Sequence, residues 1–226
     1  MSAHLDDTLT IYLDQIRLAP SRPMRFPRFQ HLVKSLLDRL LASILLVVTA
    51  PVLLLATAAI RLTSRGKALF VQPRIGHHCQ EFSMYKLRTM REGAEEEEEQ
   101  LAEAQGGTFF KLADDRRITP VGRILRRTSL DELPQLLNVL KGDMSLVGPR
   151  PILRSDFRSF PRNEQMRRFS MKPGMTGLWQ VRGRSLTSDQ ERLRLDLEYV
   201  DEWNLWMDGK ILLRTFGAVV SGRGAT

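Results

Sequence analysis

One stretch constrains this chain more than any other. Between Arg39 and Arg61 lie 21 residues without a charge, Leu40 to Ile60, reading LLASILLVVTAPVLLLATAAI. About 20 apolar residues are enough to cross the hydrocarbon core of a bilayer as a helix. A helix of a soluble core usually keeps some polar side chains on one face, and this run has almost none. Membrane insertion is the expectation. A secretory signal is disfavoured, because the run follows Asp6, Asp7 and Asp14 and is longer than an ordinary signal core.

Pro51 falls near the middle of the run. There it removes one backbone hydrogen bond and clashes with the preceding turn. Each half is about 15 Å long at 1.5 Å per residue. Each could reach the bilayer midplane, and a bend at Pro51 would return the chain to the side it entered from. The alternative is a mildly kinked spanning helix. Flanking charge favours the return: Arg22, Arg25, Arg28, Lys34 and Arg39 precede the run, and Arg61, Arg65, Lys67 and Arg74 follow it. Cations beside membrane segments mark the cytoplasmic side, so a re-entrant hairpin leaves both clusters where they belong.

The 226 residues suffice for one ordinary domain plus an appendage. With 42% hydrophobic and 27% charged residues, disordered and fibrous classes are excluded. The formal net charge is +8, and 27 of the 34 cations are Arg. The guanidinium fork pairs with phosphate oxygens in a bidentate way, so anionic partners are implied. A single cysteine, Cys79, excludes an internal disulfide framework.

Three segments follow: an appendage over 1–30, the membrane-inserted segment over 31–66, and a catalytic domain over 67–226. In the appendage, Pro20, Pro23 and Pro27 discourage regular structure. Ala68 to Met90 predicts two short strands joined by a turn at Gly76. His77, His78 and Cys79 in that turn match no common zinc spacing and read as loop residues. The acidic run Glu95 to Glu99 reads as a solvated face. Residues 117–141 predict a helix with a capping box at Ser129 and Glu132, Pro134 in its first turn, and Leu130, Leu133, Leu137 and Leu140 on one face. Gly142 stops it. A tight loop, Gly148-Pro149-Arg150-Pro151, comes next, then a basic stretch to Arg168 and a segment with Gly174, Gly177 and Gly183. Leu186 to Val220 predicts amphipathic helix broken near Gly209. Trp203 and Trp206 share a face there, suited either to a membrane interface or to a core.

Asp131 and Glu132 are adjacent in the first turn of the expected helix, where the helix N-terminus favours their anionic forms. Two acids in a first turn usually serve as a cap. Here Arg126 and Arg127 lie just upstream, and Arg150 is held between two prolines. Cations around a carboxylate suit reaction at phosphorus, because they neutralise phosphate oxygens that would repel an anionic nucleophile.

Three runs carry a resemblance: KLRTM (Lys86 to Met90), SLDELPQLLNVLKGDMSLVGPRP (Ser129 to Pro151) and KPGMTGLWQVRGR (Lys172 to Arg184). Together they resemble the bacterial sugar transferases, monotopic polyprenyl-phosphate phosphoglycosyl transferases, in their short form, from about Phe29 to Val220. The resemblance implies an α+β, mainly helical monotopic membrane protein with an N-terminal re-entrant hairpin, interfacial amphipathic helices and a small β element. It implies that Asp131 attacks the β-phosphate of a UDP-sugar, releasing UMP, and that a polyprenyl phosphate such as undecaprenyl phosphate then takes the phosphosugar. Asp131 would also contact the Mg²⁺ that the family requires. Glu132 would assist the acceptor or order the metal site. Lys86, Arg88, Arg126, Arg150 and Asp208 would make up the substrate- and phosphate-binding set, with Asp208 matching an acidic position near the end of the pattern. The expected partners are the UDP-sugar, the polyprenyl phosphate and membrane lipids, with no nucleic acid and a homo-oligomer left open. The expected location is the cytoplasmic face of a bacterial inner membrane. The family's hairpin bends at Ser-Pro, whereas this chain has Ala50-Pro51. The residues do not name the sugar, and a hexose 1-phosphate is the default. The rival is a non-catalytic, membrane-anchored basic module for anionic lipid or nucleic acid. It leaves the pairing of Asp131 and Glu132 with a rigid Arg loop unexplained.

Overall fold

In the computed structural model, residues 28–94, 115–153, 167–182 and 189–220 are described. Nearly all of the 1–30 appendage, the Glu95 to Glu99 run, most of the basic stretch before Arg168, and Gly183 lie outside them. The described protein is mostly helical, with two small sheets.

The apolar run lies in one helix, α1 (Arg28–Thr63), 36 residues long with Pro51 inside it. Only 11% of its most apolar window is buried. Val47, Val48, Leu54 and Leu55 are 67–75% exposed. Such surface in water is costly at about 25 cal/mol per Å², so the helix is compatible with a membrane anchor. Both arms of α1 nevertheless touch the same globular body. On the first arm, Lys34 donates to Asp208 at 2.6 Å, Asp38 accepts from the Ser145 hydroxyl at 2.6 Å, and Ala42 lies in the main core. On the second, Ala56 and Ile60 pack with Ala68, Leu87 and Leu125 in a smaller core.

β1 (Leu69–Ile75) and β2 (Glu81–Leu87) form an antiparallel hairpin, with Leu69 opposite Leu87 and Ile75 opposite Glu81. Its turn is the short helix His77–Cys79, in which His78 and Cys79 take positive φ. The predicted strands and turn are therefore present.

The helix expected over 117–141 divides in two. α2 (Pro120–Thr128) begins at Thr119, whose hydroxyl accepts the Gly122 N–H, with Pro120 at the first helical position. That pairing of a Thr cap with a following Pro is the stronger start signal. Ser129 is not an N-cap: it ends α2 in the left-handed region, at φ 57°. A single 3₁₀ turn, Leu130–Glu132, follows, and then α3 (Gln135–Lys141), which Gly142 closes at φ 88°. A continuous helix would have driven the Pro134 ring against the Leu130 carbonyl, so the break precedes it. The four leucines consequently do not share a face. Leu130 packs on the smaller core, Leu133 and Leu140 on the main one, and Leu137 is exposed.

β3 (Ser145–Val147) pairs in parallel with β4 (Gly174–Thr176), bringing the Gly148–Pro151 loop beside the Lys172–Gly177 segment. Three helices complete the fold: α4 (Leu178–Arg182), α5 (Asp189–Glu202) and α6 (Leu205–Val220). The break between the last two falls at Trp203-Asn204 and not near Gly209, because the Asn204 side chain accepts the Met207 N–H and starts α6. Trp203 is fully buried and stacks on His31 of α1, whereas Trp206 is 70% exposed.

Gly122 is the tightest approach of α2 to the strand end: a Cβ there would stand 2.0 Å from the Thr89 carbonyl oxygen. Gly122→Ala should therefore cost about 1–3 kcal/mol, seen as a lowered melting temperature of the detergent-solubilised protein.

Candidate active site

The 3₁₀ turn places the two acids. Leu130 enters the smaller core and Leu133 the main one, so the residues between them are pinned where the cores meet, beside β2. Asp131 is buried and Glu132 is half-buried. From β2, Lys86 reaches Glu132 Oε1 with its Nζ at 3.5 Å. Arg126, in the last turn of α2, donates to the Thr89 hydroxyl at 2.9 Å, which holds its charge near Asp131.

The two carboxylates differ in environment. Burial, and then the neighbouring charge of Glu132, push Asp131 up to about 6, against the pull of Lys86 and Arg126. Burial also pushes Glu132 upward, but Lys86, Arg150 and Arg74 outweigh it and hold its carboxyl below the usual range. Lys86 is itself kept below the usual ammonium range by burial and by Arg150 and Arg74, despite Glu132. The outcome is one ionised, ion-paired acid beside one reactive acid poised near neutrality. Such a separation is how two adjacent carboxylates take different parts in one reaction. The expectation that a helix N-terminus holds these acids ionised gives way to a different cause. They sit in a single 3₁₀ turn, and Lys86 keeps Glu132 charged.

Of the residues singled out from sequence, Lys86, Arg126, Asp131, Glu132 and Arg150 come together electrostatically. Arg127 is exposed. Arg88 lies against Gly66, where a Cβ would crowd its Nη1, and it makes no hydrogen bond or ion pair with either acid. Its Nε and Nη1 are buried and find no hydrogen-bond partner among the described residues. Asp208 is engaged elsewhere: it accepts from Lys34, from the Tyr199 hydroxyl at 2.7 Å and from Trp203 Nε1 at 3.1 Å. Those bonds join α1 to α5 and α6 and leave no phosphate contact in view.

Arg74 was legible only as a flanking cation, yet it belongs to this site. From β1 it donates to Gln72 and, at 3.4 Å, to the Pro151 carbonyl, tying the hairpin to the Arg150 loop. Among the described residues no group of three or more His, Cys, Asp and Glu is placed to hold a metal ion. Asp131 and Glu132 form a pair of carboxylates, the donor set that binds Mg²⁺ when substrate phosphates supply the remaining ligands.

This arrangement can present a carboxylate to a phosphorus centre within a cationic rim. The sequence model of the family described as bacterial sugar transferase matches residues 29–222. The chain is 44% identical over 206 residues to the galactosyl transferase CpsE of Streptococcus agalactiae, covering 89% of this chain and 45% of that protein. It is 44% identical over 214 residues to the UDP-glucose:undecaprenyl-phosphate glucose-1-phosphate transferase of Caulobacter vibrioides, covering 91% and 76%. With the exopolysaccharide production protein ExoY of Rhizobium meliloti it shares 37% over 200 residues, covering 86% and 88%. The chain spans less than half the length of several of the relatives it matches. With the acidic pair, the Arg150 loop and α1 from Phe29 onward inside the matched residues, the chain belongs to the bacterial sugar transferase family.

Proposed function

We propose that this protein transfers a sugar 1-phosphate from a UDP-sugar to a polyprenyl phosphate at the cytoplasmic face of the bacterial inner membrane. The observation that carries the proposal is the buried Asp131, raised to about 6 with Lys86 and Arg126 beside it, next to an ion-paired Glu132 that Lys86 and Arg150 face. An Asp131 oxygen bonds to the β-phosphorus, and the bridging P–O bond breaks, its electron pair leaving with UMP. A phosphate oxygen of the polyprenyl carrier then attacks the same phosphorus. The carboxylate is released, and a polyprenyl diphosphate sugar results. Lys86, Arg126 and Arg150 offset the charge of the diphosphate, which would otherwise repel Asp131. Glu132 holds Lys86 in place and would either assist the carrier phosphate or order the metal site. Asp131 and Glu132 would hold a Mg²⁺ together with the donor's phosphates. Such an ion supplies Lewis-acid neutralisation of the leaving UMP. The names of the relatives favour a hexose 1-phosphate, glucose or galactose, as the group transferred.

The attachment of both arms of α1 to one globular body supports a re-entrant segment. A helix that crossed the bilayer would carry one arm away from that body. Single cysteines at Ser21 and Arg65, in a Cys79→Ser background, should both resist an impermeant maleimide in intact cells. Labelling of one of them alone defeats the hairpin.

Purified protein given labelled UDP-hexose without lipid carrier should retain the label, and Asp131→Asn should abolish both the adduct and UMP release. A protein that requires both substrates before any UMP appears has no covalent step. The Asn variant should remain folded and be the more stable. Asp131 titrates higher in the folded chain than its unfolded value near 4, so stability is lost as pH rises from about 4 to about 6. Removing the charge restores at most about 3 kcal/mol at neutral pH.

Only ionised Asp131 attacks, so single-turnover UMP release should rise tenfold per pH unit and level off above about 6. Glu132→Gln removes a like charge and should move that midpoint downward. An unshifted midpoint would separate the titration from Asp131.

A further inference from the structure

Arg150 lies between Pro149 and Pro151, neither of which has an N–H to pin the loop. Its position is fixed from outside. Arg168 and Asp196 form a buried ion pair, 5% and 1% exposed, with Arg168 Nη2 at 2.7 Å and Nε at 2.9 Å from Asp196 Oδ2. The same Arg168 Nη2 donates to the Arg150 carbonyl at 2.7 Å. Asp196 thus holds through its Oδ2 the same Arg168 nitrogen that donates to the Arg150 carbonyl, so the loop meets a side chain that is itself fixed. The Arg150 guanidinium, in turn, lies over the Trp179 ring at 5.6 Å.

A buried ion pair is a poor choice for stability alone, because a well-packed apolar pair commonly does as well or better. What apolar side chains lack is a fixed donor for the Arg150 carbonyl. The partners come from far apart in the chain: Arg168 precedes β4, and Asp196 lies in the middle of α5. Arg168 reaches the loop that carries the Arg150 cation to Glu132 and Lys86, and Asp196 holds Arg168 there.

We infer that Arg168 and Asp196 are positioning residues for Arg150: Asp196 fixes Arg168, which grips the backbone carbonyl of Arg150 and thereby aims its guanidinium at the diphosphate of the donor. This rests on the proposed transferase reading for its catalytic consequence, and on geometry alone for the grip.

The test combines hydrogen exchange with kinetics. Prolines have no amide, so exchange within Pro149-Arg150-Pro151 reports Arg150 alone. The double variant Arg168→Met with Asp196→Leu keeps the site apolar and packed, and Asp196→Asn keeps its shape. In both, exchange at the Arg150 amide should accelerate at least tenfold. The double variant should lose at least tenfold in kcat/KM for the UDP-sugar, chiefly through KM, with a melting temperature within a few degrees of the parent. In an Arg150→Ala background the same double replacement should change kcat/KM less than twofold. Unchanged exchange at Arg150 overturns the grip whatever the activity does. Equal losses in the two backgrounds overturn action through Arg150. If Arg150→Ala alone leaves turnover intact, the phosphate role of Arg150 fails, while the exchange measurement still decides the grip.

Discussion

The structure hangs on the carboxylate of Asp208. It receives Lys34 from α1, Tyr199 from α5 and Trp203 from the corner before α6, all of them buried. The Tyr199 hydroxyl also lies 3.0 Å from the Val147 carbonyl, so the same knot reaches β3. One step further along the chain is the Gly148–Pro151 loop and its Arg150. A group that joins the apolar helix to the body therefore also sets where the loop that carries Arg150 begins. Breaking one partner of such a knot leaves buried charge uncompensated, which is far costlier than losing a surface ion pair.

From that anchorage the reactive centre follows in two steps. The first is mechanical. Two hydrophobic cores, one on each side of the 3₁₀ turn, hold Leu130 and Leu133 and leave Asp131 and Glu132 no freedom to slide. The second is electrostatic. Lys86, Arg150 and Arg74 surround Glu132, whereas Asp131 is governed first by burial. Neighbours in sequence thus become unlike acids, because one faces cations and the other faces protein interior. In the proposed reaction the exposed apolar face of α1 and the cationic rim are complementary, one toward a lipid carrier and the other toward a soluble diphosphate.

Much of this was legible in the residues. The uncharged run, the hairpin around Gly76, the acidic pair and the Arg held between prolines are all local signals: composition, turn chemistry and spacing. What failed was also local in appearance. Ser129 and Glu132 have the spacing of a capping box, yet Thr119-Pro120 starts the helix and Pro134 forbids its continuation through the acids. Gly209 looks like a helix breaker, but Asn204 can cap and Gly209 sits within α6 with open space beside it. The parts played by Arg74, Arg168 and Asp196 had no sequence signal, since each depends on a partner dozens of residues away.

The sequence by itself determined that this chain carries an uncharged apolar run long enough to enter a bilayer, and a carboxylate pair amid guanidinium groups. Residue chemistry is enough for both, because hydrophobicity and charge are properties of side chains wherever they lie. Which acid stays ionised, which cation faces it and what fixes Arg150 were decided only by tertiary structure. A pKa depends on burial and on charges within a few ångströms, and the hold on Arg150 needs Arg168 and Asp196 to meet from distant parts of the chain. The chain order does not encode those distances, and folding alone brings them about.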